Sequence, residues 1–477
     1  MNERLTIGKA LLTASVVCAV MFGCSTVEKA REAQDVASRT VAPDFEPSRA
    51  VPVDMHLSAL VDFALTNHPS IISARLAVED ARLALKQIDA NAPVLSSAPL
   101  NALDLSVSGG YAESSRGTTV SEGNFDTDGS LSGALSLDIL VYDFGRNAAE
   151  ARAQAERIVA AEETFVRVSH EVFRDVSNCV FSCREATELM AVAETNAVAA
   201  AAHLEQAEHR AEQGEAQKLD VLNARLTLSQ SQEKLVAASN AVETAEAELA
   251  YAIGCAKGDR DELSRIRPEN LQILAEIFAP EGDGEGALVA YTLKNAPAIR
   301  IARARVRAAS EDVDRAVADL YPSVSASTSV SWTDPLWFFK WGVSGAQSLF
   351  TGWRKTTAVD RARIALESAL VSLDETTLAI ARDLEIALSA RADAREAVLR
   401  AERTRHAAEE NFALVSQQYD IGEADRVEFA DALTALTEAR GDVVRAETVA
   451  QKAEVALITI SGLPPVYRDR GKDEVNE

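Results

Sequence analysis

The residues able to do chemistry in this chain are few and scattered. Cys179 and Cys183 lie four apart in a stretch without Gly or Pro, so a helix would place both thiols on one face. Side chains at that spacing point in nearly parallel directions, which disfavours a disulfide, and a metal there would need two further ligands. Neither His170 nor His203 has the spacing to join the pair on one helix, and the six histidines are spread along the chain. The two thiols therefore read as small apolar core residues, and Cys255, near a helix end, has no evident partner. There is no Gly-rich phosphate loop, no GxSxG elbow, no HExxH and no CxxC. With no nucleophile, base and oxyanion donors converging, the sequence argues against an enzyme and offers no metal or cofactor site.

Composition points the same way. Over 477 residues, 73 acidic side chains stand against 48 Lys plus Arg, a formal charge of -25. Nucleic-acid binding needs clustered cations, so the balance argues against that partner. Aromatic residues make up 5% and there are 13 prolines, while Ala, Glu, Leu, Arg and Val fill long stretches, a composition suited to extended helices rather than a compact α/β enzyme.

Arg4 and Lys9 precede an apolar run from Ala10 to Phe22, too short to span a bilayer as a helix but suited to a secretory signal. The run ends in Met21-Phe22-Gly23-Cys24-Ser25, which resembles a bacterial lipoprotein box in which cleavage before Cys24 leaves its thiol to carry lipid, palmitate included. Met21 and Phe22 are atypical for such a box, and ordinary cleavage nearby is the alternative. Ser25 stands where an Asp would mark retention at the inner membrane, which favours the outer one. No later segment has 18 consecutive apolar residues, so any further membrane crossing must be made by strands.

The elements that would hold such a protein together come in two copies. Leu60-Val-Asp-Phe-Ala-Leu-Thr-Asn-His-Pro69 reappears as Leu288-Val-Ala-Tyr-Thr-Leu-Lys-Asn-Ala-Pro297, an offset of 228. Val141-Tyr-Asp-Phe-Gly-Arg146 matches Leu349-Phe-Thr-Gly-Trp-Arg354 at an offset of 208, and Gly214-Glu-Ala matches Gly422-Glu-Ala at the same offset, as Ile253-Gly254 matches Ser461-Gly462. Each copy has a span free of Gly and Pro, Arg146 to Gln213 and Trp353 to Ile421. As helices these would be on the order of 100 Å long, too long for a globular core. Leu366, Ala369, Leu373, Thr376, Ile380 and Leu384 recur at three and four, the spacing of a helix packed on parallel neighbours. Shorter helices are expected over about 70–92, 217–252, 298–320 and 425–460, and two of them could stack end to end beside each long one.

Between the helices the period changes to two, over about 103–112, 130–142, 323–332 and 340–350. Leu135, Leu137 and Ile139 alternate with Ser136 and Asp138, Val324 to Trp332 alternate with serines, and Trp337, Phe339, Trp341 and Val343 alternate with Lys340, Gly342 and Ser344. One apolar and one hydroxyl-rich face suit strands between lipid and a watery lumen, with Trp332, Trp337 and Trp341 as an interfacial girdle. Soluble hairpins packed on helices are the alternative. Four strands cannot close a barrel, and an open edge in hydrocarbon leaves peptide groups unpaired. Three copies give twelve strands and a wet lumen, so a homotrimer is preferred to a dimer.

With the tandem repeat, the strand-to-helix junctions Tyr142-Asp-Phe-Gly-Arg146 and Leu349-Phe-Thr-Gly-Trp-Arg354, and the segments Gln213 to Ala224 and Gln418 to Ala432, the chain resembles outer membrane efflux proteins of the TolC type over about residues 55 to 463. The resemblance implies a mostly α fold with β: long helical hairpins forming a periplasmic α-barrel, and four strands per chain in a trimeric 12-stranded transmembrane β-barrel. It implies an outer membrane location, a periplasmic adaptor protein and an inner-membrane pump as partners, and hairpin turns at Gly214 and Gly422 forming the mouth that docks them. Two acidic residues in the second hairpin constrict the family's mouth, and Glu428 and Asp431 hold those positions, Glu428 where Asp is common. An ordinary solvated helical face is the alternative for both. The family ties its closed mouth with a Tyr, an Arg and an Asp. Tyr419 and Asp220 match, but Ala424 stands at the Arg position, and Arg426 in the next turn is the substitute.

The expected organisation is a signal peptide over 1–23, a lipid-anchored tether over 24–57, a first repeat over 58–254, an equatorial linker over 255–286, a second repeat over 287–463 and a tail over 464–477. The expected function is the outer membrane exit duct of a tripartite system exporting small molecules. The alternatives are the channel of a type I protein secretion system and a nonconducting coiled-coil lipoprotein that braces the envelope.

Overall fold

Each repeat is a helix broken at one proline, two strands and a helical hairpin. The computed structural model describes residues 57–90, 102–113, 127–213, 217–254, 284–333, 336–348, 350–421, 424 and 426–463. The first repeat runs α1 Leu57–Asn67, α2 Pro69–Ala90, β1 Ala102–Glu113, β2 Thr127–Tyr142, α3 Arg146–Glu212 and α4 Lys218–Ile253. The second runs α5 Gly284–Asn295, α6 Pro297–Ala318, β3 Ser323–Thr333, β4 Leu336–Ala346, α7 Arg354–Asp420 and α8 Arg426–Ser461. These residues belong to one compact unit, Pro52–Gly254 with Arg260–Glu477. The signal, the tether with Cys24, Cys255 and most of the linker, and the tail lie outside the described residues, as do Gly214 and Gly422.

The two long helices have 67 residues each, about 100 Å, as the absence of breakers requires. Helix α3 packs along α2, α4, α6 and α8, and α7 packs along α6 and α8. The helices ahead of the strands are interrupted where Pro69 and Pro297 lack an N–H and press on the preceding turn. Each interruption is a joint, not a loop: His68 N donates to Ala64 O at 2.8 Å and Ala296 N to Thr292 O at 2.8 Å. Helix α4 ends against the first joint at Gly254 and α8 ends at Gly462 against the second, both glycines at positive φ. The short helices therefore do stack end to end beside the long ones. Leu60, Val61, Ala64, Ile71, Leu249 and Ile253 are buried around the first joint. Leu384, Ala387 and Leu457 pack with Leu288, Val289, Leu388 and Ile460 around the second.

The four strands form one antiparallel sheet in the order β1-β2-β3-β4, so the repeats are joined through β2 and β3. Strand β4 contains the alternating run Trp337 to Ser344 but begins and ends about four residues earlier than the expected bounds of 340–350. Only residues 334 and 335 separate it from β3, which ties Thr333 to Leu336, and the chain leaves the sheet after Ala346 to enter the turn before α7. Register aligns the faces: Leu135, Val330 and Phe339 are neighbours across three strands, as are Leu137, Thr328 and Trp341, and Ile139, Ala326 and Val343. Between those rows run Ser136, Ser329 and Lys340, then Asp138, Ser327 and Gly342. The hydroxyls of Ser325 and Ser344 meet at 3.2 Å. Trp337, Phe339, Trp341 and Val343 share one exposed face of β4. Among the described residues no helix is long and apolar enough to cross a membrane.

Candidate functional site

The far ends of the two hairpins carry the residues the sequence singles out. Helix α4 starts at Lys218, and the Asp220 carboxylate accepts the N–H of Gln217 at 3.0 Å, which serves an otherwise unpaired donor at the helix N-terminus. Helix α7 ends at Asp420, with Ile421 N donating to Gln417 O and Ala424 N to Gln418 O at 3.2 Å. Tyr419 sits in the last turn of α7, half-buried.

Its partners come from both hairpins. The Tyr419 hydroxyl lies 3.4 Å from Nε2 of His203 on α3, and the Arg210 guanidinium sits over its ring, 5.1 Å from the centroid. Phe429, in the first turns of α8, stacks on Tyr419 at 4.9 Å and on His203 at 5.2 Å, and Phe412 of α7 lies 5.6 Å from it. The four rings thus join α3, α7 and α8. Sequence reading placed Tyr419 here but missed His203, Phe412 and Phe429. The signal was their rarity: with only 5% aromatic residues, two phenylalanines within ten positions of Tyr419 stand out.

Glu428 and Asp431 are exposed and three apart on α8, hence on one side of it. Asp431 also lines a cleft of about 260 Å³ between α8 and the first hairpin, with Asn196, Asn223, Gln230, Lys234 and Thr434. The structure gives Tyr419 the partners His203, Arg210 and Phe429, and gives Asp220 the Gln217 N–H. The side chain of Arg426 lies outside the described residues.

At the other end of the long helices the chain turns from sheet to helix through paired positive-φ residues, Phe144 and Gly145 before α3, Gly352 and Trp353 before α7. The Asp143 carboxylate, buried, accepts the N–H groups of Gly145 at 3.2 Å and Asn147 at 2.8 Å and so starts α3. Phe144 stacks on Tyr321 at 5.4 Å, and Phe350 and Trp353 stand exposed beside the second junction.

Cys179 and Cys183 are free thiols, half-buried and buried. Burial, reinforced by nearby carboxylates, pushes both thiols up to about 11, so neither is a nucleophile. Burial likewise lowers the pKa of His170, and that of His68 against an opposing pull from Asp175.

This geometry has relatives. No curated protein sequence matches the chain. In structure it is similar to a membrane protein from Pseudomonas aeruginosa at 20% identity and a TM-score of 0.72, covering 88% of this chain and 99% of that one. It is similar to the Campylobacter jejuni CmeC outer membrane channel at 17% identity and a TM-score of 0.73, covering 88% and 90%. It is also similar to the outer membrane protein VceC of Vibrio cholerae at 19% identity and a TM-score of 0.69, covering 85% and 96%. At these identities the likeness establishes the fold. The family profile for outer membrane efflux proteins matches residues 60–255 and 288–463, which are the two repeats. The chain therefore belongs to the outer membrane efflux protein family, whose members are channels and not enzymes.

Proposed function

We propose that three copies of this chain form the exit duct of a tripartite efflux system for small molecules, anchored by lipid on Cys24 after removal of residues 1–23. The observation that carries this reading is the register of the sheet. It aligns an apolar row from Leu135 through Val330 to Phe339 beside a hydroxyl row from Ser136 through Ser329, while among the described residues β1 and β4 each keep one open edge. A sheet with a lipid-compatible face, a wet face and two open edges is stable in a bilayer only when neighbouring copies pair with its edges. Three copies supply twelve strands, enough for a water-filled lumen.

The hairpin turns at Gly214 and Gly422 then form the periplasmic mouth, where a periplasmic adaptor and an inner-membrane pump dock. Glu428 and Asp431 of three chains ring that mouth with six carboxylates and favour cations. Asp220 and Tyr419 belong to the tie that holds the mouth shut. In this chain Ala424 removes the cation expected next to Tyr419, and Arg210 occupies that place through its position over the ring.

Purified protein in planar bilayers tests the duct. The wild type conducts, and the double variant E428Q/D431N loses its cation preference several-fold, read as the reversal potential in a salt gradient. An unchanged reversal potential removes the carboxylate ring, and a wild type without conductance removes the duct. Mass spectrometry of the mature N-terminus reports acylation of Cys24, and drug susceptibility of a deletion strain, set beside its secreted proteome, separates small-molecule export from protein secretion.

A further inference from the structure

The sheet carries one cation. Of the residues in β1 to β4, Lys340 is the single Lys or Arg. Register fixes the face it occupies. Ser136, Ser329 and Lys340 stand in one row, Ala134, Ser331 and Phe338 in the next, and Asp138, Ser327 and Gly342 in the row on the other side. Side chains alternate along a strand, so Lys340 and Phe338 share the hydroxyl-rich face, opposite Trp337, Phe339, Trp341 and Val343. Around them that face presents Ser325, Ser327, Ser329, Ser331, Gly342 and Ser344, all small. Lys340 and Phe338 therefore rise from an otherwise low lining. Both are exposed, and Lys340 makes no ion pair among the described residues.

Lipid does not suit this face. An ammonium at mid-strand is costly against hydrocarbon, whereas the aromatic and aliphatic face of β4 is at home there. Lys340 is the fifth of the eleven residues of β4, hence close to mid-height of the strand. Strand β4 leaves the sheet at Ala346 towards α7, so Phe338 lies further from the helices than Lys340, and Asp138, level with Gly342, lies nearer to them.

Building on the trimeric duct proposed above, we propose that Lys340 and Phe338 are its specificity-determining residues within the β-barrel. Three copies of each line the lumen as a cationic ring with an aromatic ring on its exit side, and together they favour organic anions that carry an apolar group. Twelve strands about 4.8 Å apart and tilted by about 40° enclose a radius of roughly 12 Å to the backbone. A Lys on its four-carbon stem reaches far into that space, and low-dielectric walls focus the field of the charges along a channel. The sign of this ring is opposite to that of Glu428 and Asp431 at the mouth. A bare cation drawn into the mouth is opposed in the barrel. A carboxylate or sulfonate is attracted by Lys340, and its apolar part rests on the Phe338 ring.

Zero-current potentials of full-length protein in planar bilayers test the filter, in gradients of potassium chloride and of potassium benzoate. K340Q lowers the permeability of chloride relative to potassium by about threefold and K340E by more, while K340R keeps the wild-type value. F338S lowers benzoate relative to chloride by about twofold and leaves the chloride-to-potassium ratio unchanged. Thiol chemistry reads the face independently. K340C behaves as K340Q, a methanethiosulfonate reagent bearing trimethylammonium restores its wild-type ratio, and one bearing sulfonate moves it to that of K340E, whereas F339C responds to neither reagent. A wild type without conductance removes the duct itself. A conducting wild type whose ratios survive K340Q and K340E, or a channel in which F339C and not K340C responds, removes this filter and leaves the duct standing. Wild-type benzoate selectivity in F338S removes the aromatic ring alone.

Discussion

The Tyr419 hydroxyl lies 3.4 Å from His203 Nε2, with Tyr419 in the last turn of α7 and His203 near the end of α3. One contact thereby links the tips of the two hairpins in a chain, and Phe429, stacked on both rings, makes it a cluster. A mouth that opens by rigid movement of one hairpin against the other must break this cluster first.

F429A removes the ring shared by Tyr419, His203 and Phe412. Phe429 is half-buried, so the expected loss of stability is about 1–2 kcal/mol, less than for a fully buried phenylalanine. Single-channel recording in bilayers should show F429A open more often than the wild type. Equal open probabilities would separate the cluster from gating.

The two glycines at the helix joints differ in a measurable way. Both have positive φ, 77° at Gly254 and 68° at Gly462. A Cβ on Gly462 would come within 2.9 Å of the Pro297 ring, while on Gly254 the nearest atom is the His68 Cα at 3.6 Å. G254A should cost about 1 kcal/mol from backbone strain alone, and G462A more, up to about 3 kcal/mol. Thermal unfolding of the two variants side by side reads the order.

His170 is buried, its Nδ1 has no hydrogen-bond partner among the described residues, and its pKa lies below the ordinary 6.5 because burial disfavours the charged ring. Above pH 6.5 the ring is neutral in folded and unfolded chains and adds no pH dependence. As the pH falls below 6.5 the unfolded chain takes up the proton first, so stability drops until the folded ring also titrates. H170L, which installs the residue of the equivalent position Leu378, should flatten the acid side of the melting-temperature profile.

Burial pushes the Cys179 and Cys183 thiols up to about 11, so at pH 8 both stay almost wholly protonated. Iodoacetamide should leave both unmodified in the folded protein and alkylate both after unfolding, as peptide mass spectrometry would show. Rapid labelling of either in the native state would contradict the burial described here.

Much of the architecture was legible in the residues. Breaker-free spans become two helices of 67 residues, since nothing in Arg146–Glu212 or Arg354–Asp420 removes a backbone donor or frees the backbone. The doubled register of Pro69 with Pro297 and Gly254 with Gly462 becomes the two helix joints. Period-two alternation becomes strands, with β4 over Leu336–Ala346 rather than the expected 340–350. The hairpin tip was only partly readable: Tyr419 was marked by the family resemblance, but His203 is 216 positions away on another hairpin.

The order of residues alone determined what each segment could become, because helix and strand formation depend on neighbours three, four or two positions away. Only the tertiary structure decided which faces are satisfied within one chain. Glu163 and Val371 occupy equivalent places in two similar helices, yet one finds Arg300 and is buried while the other is left exposed. Burial is a property of what packs alongside, and that depends on contacts between residues more than a hundred positions apart, which local pattern does not encode.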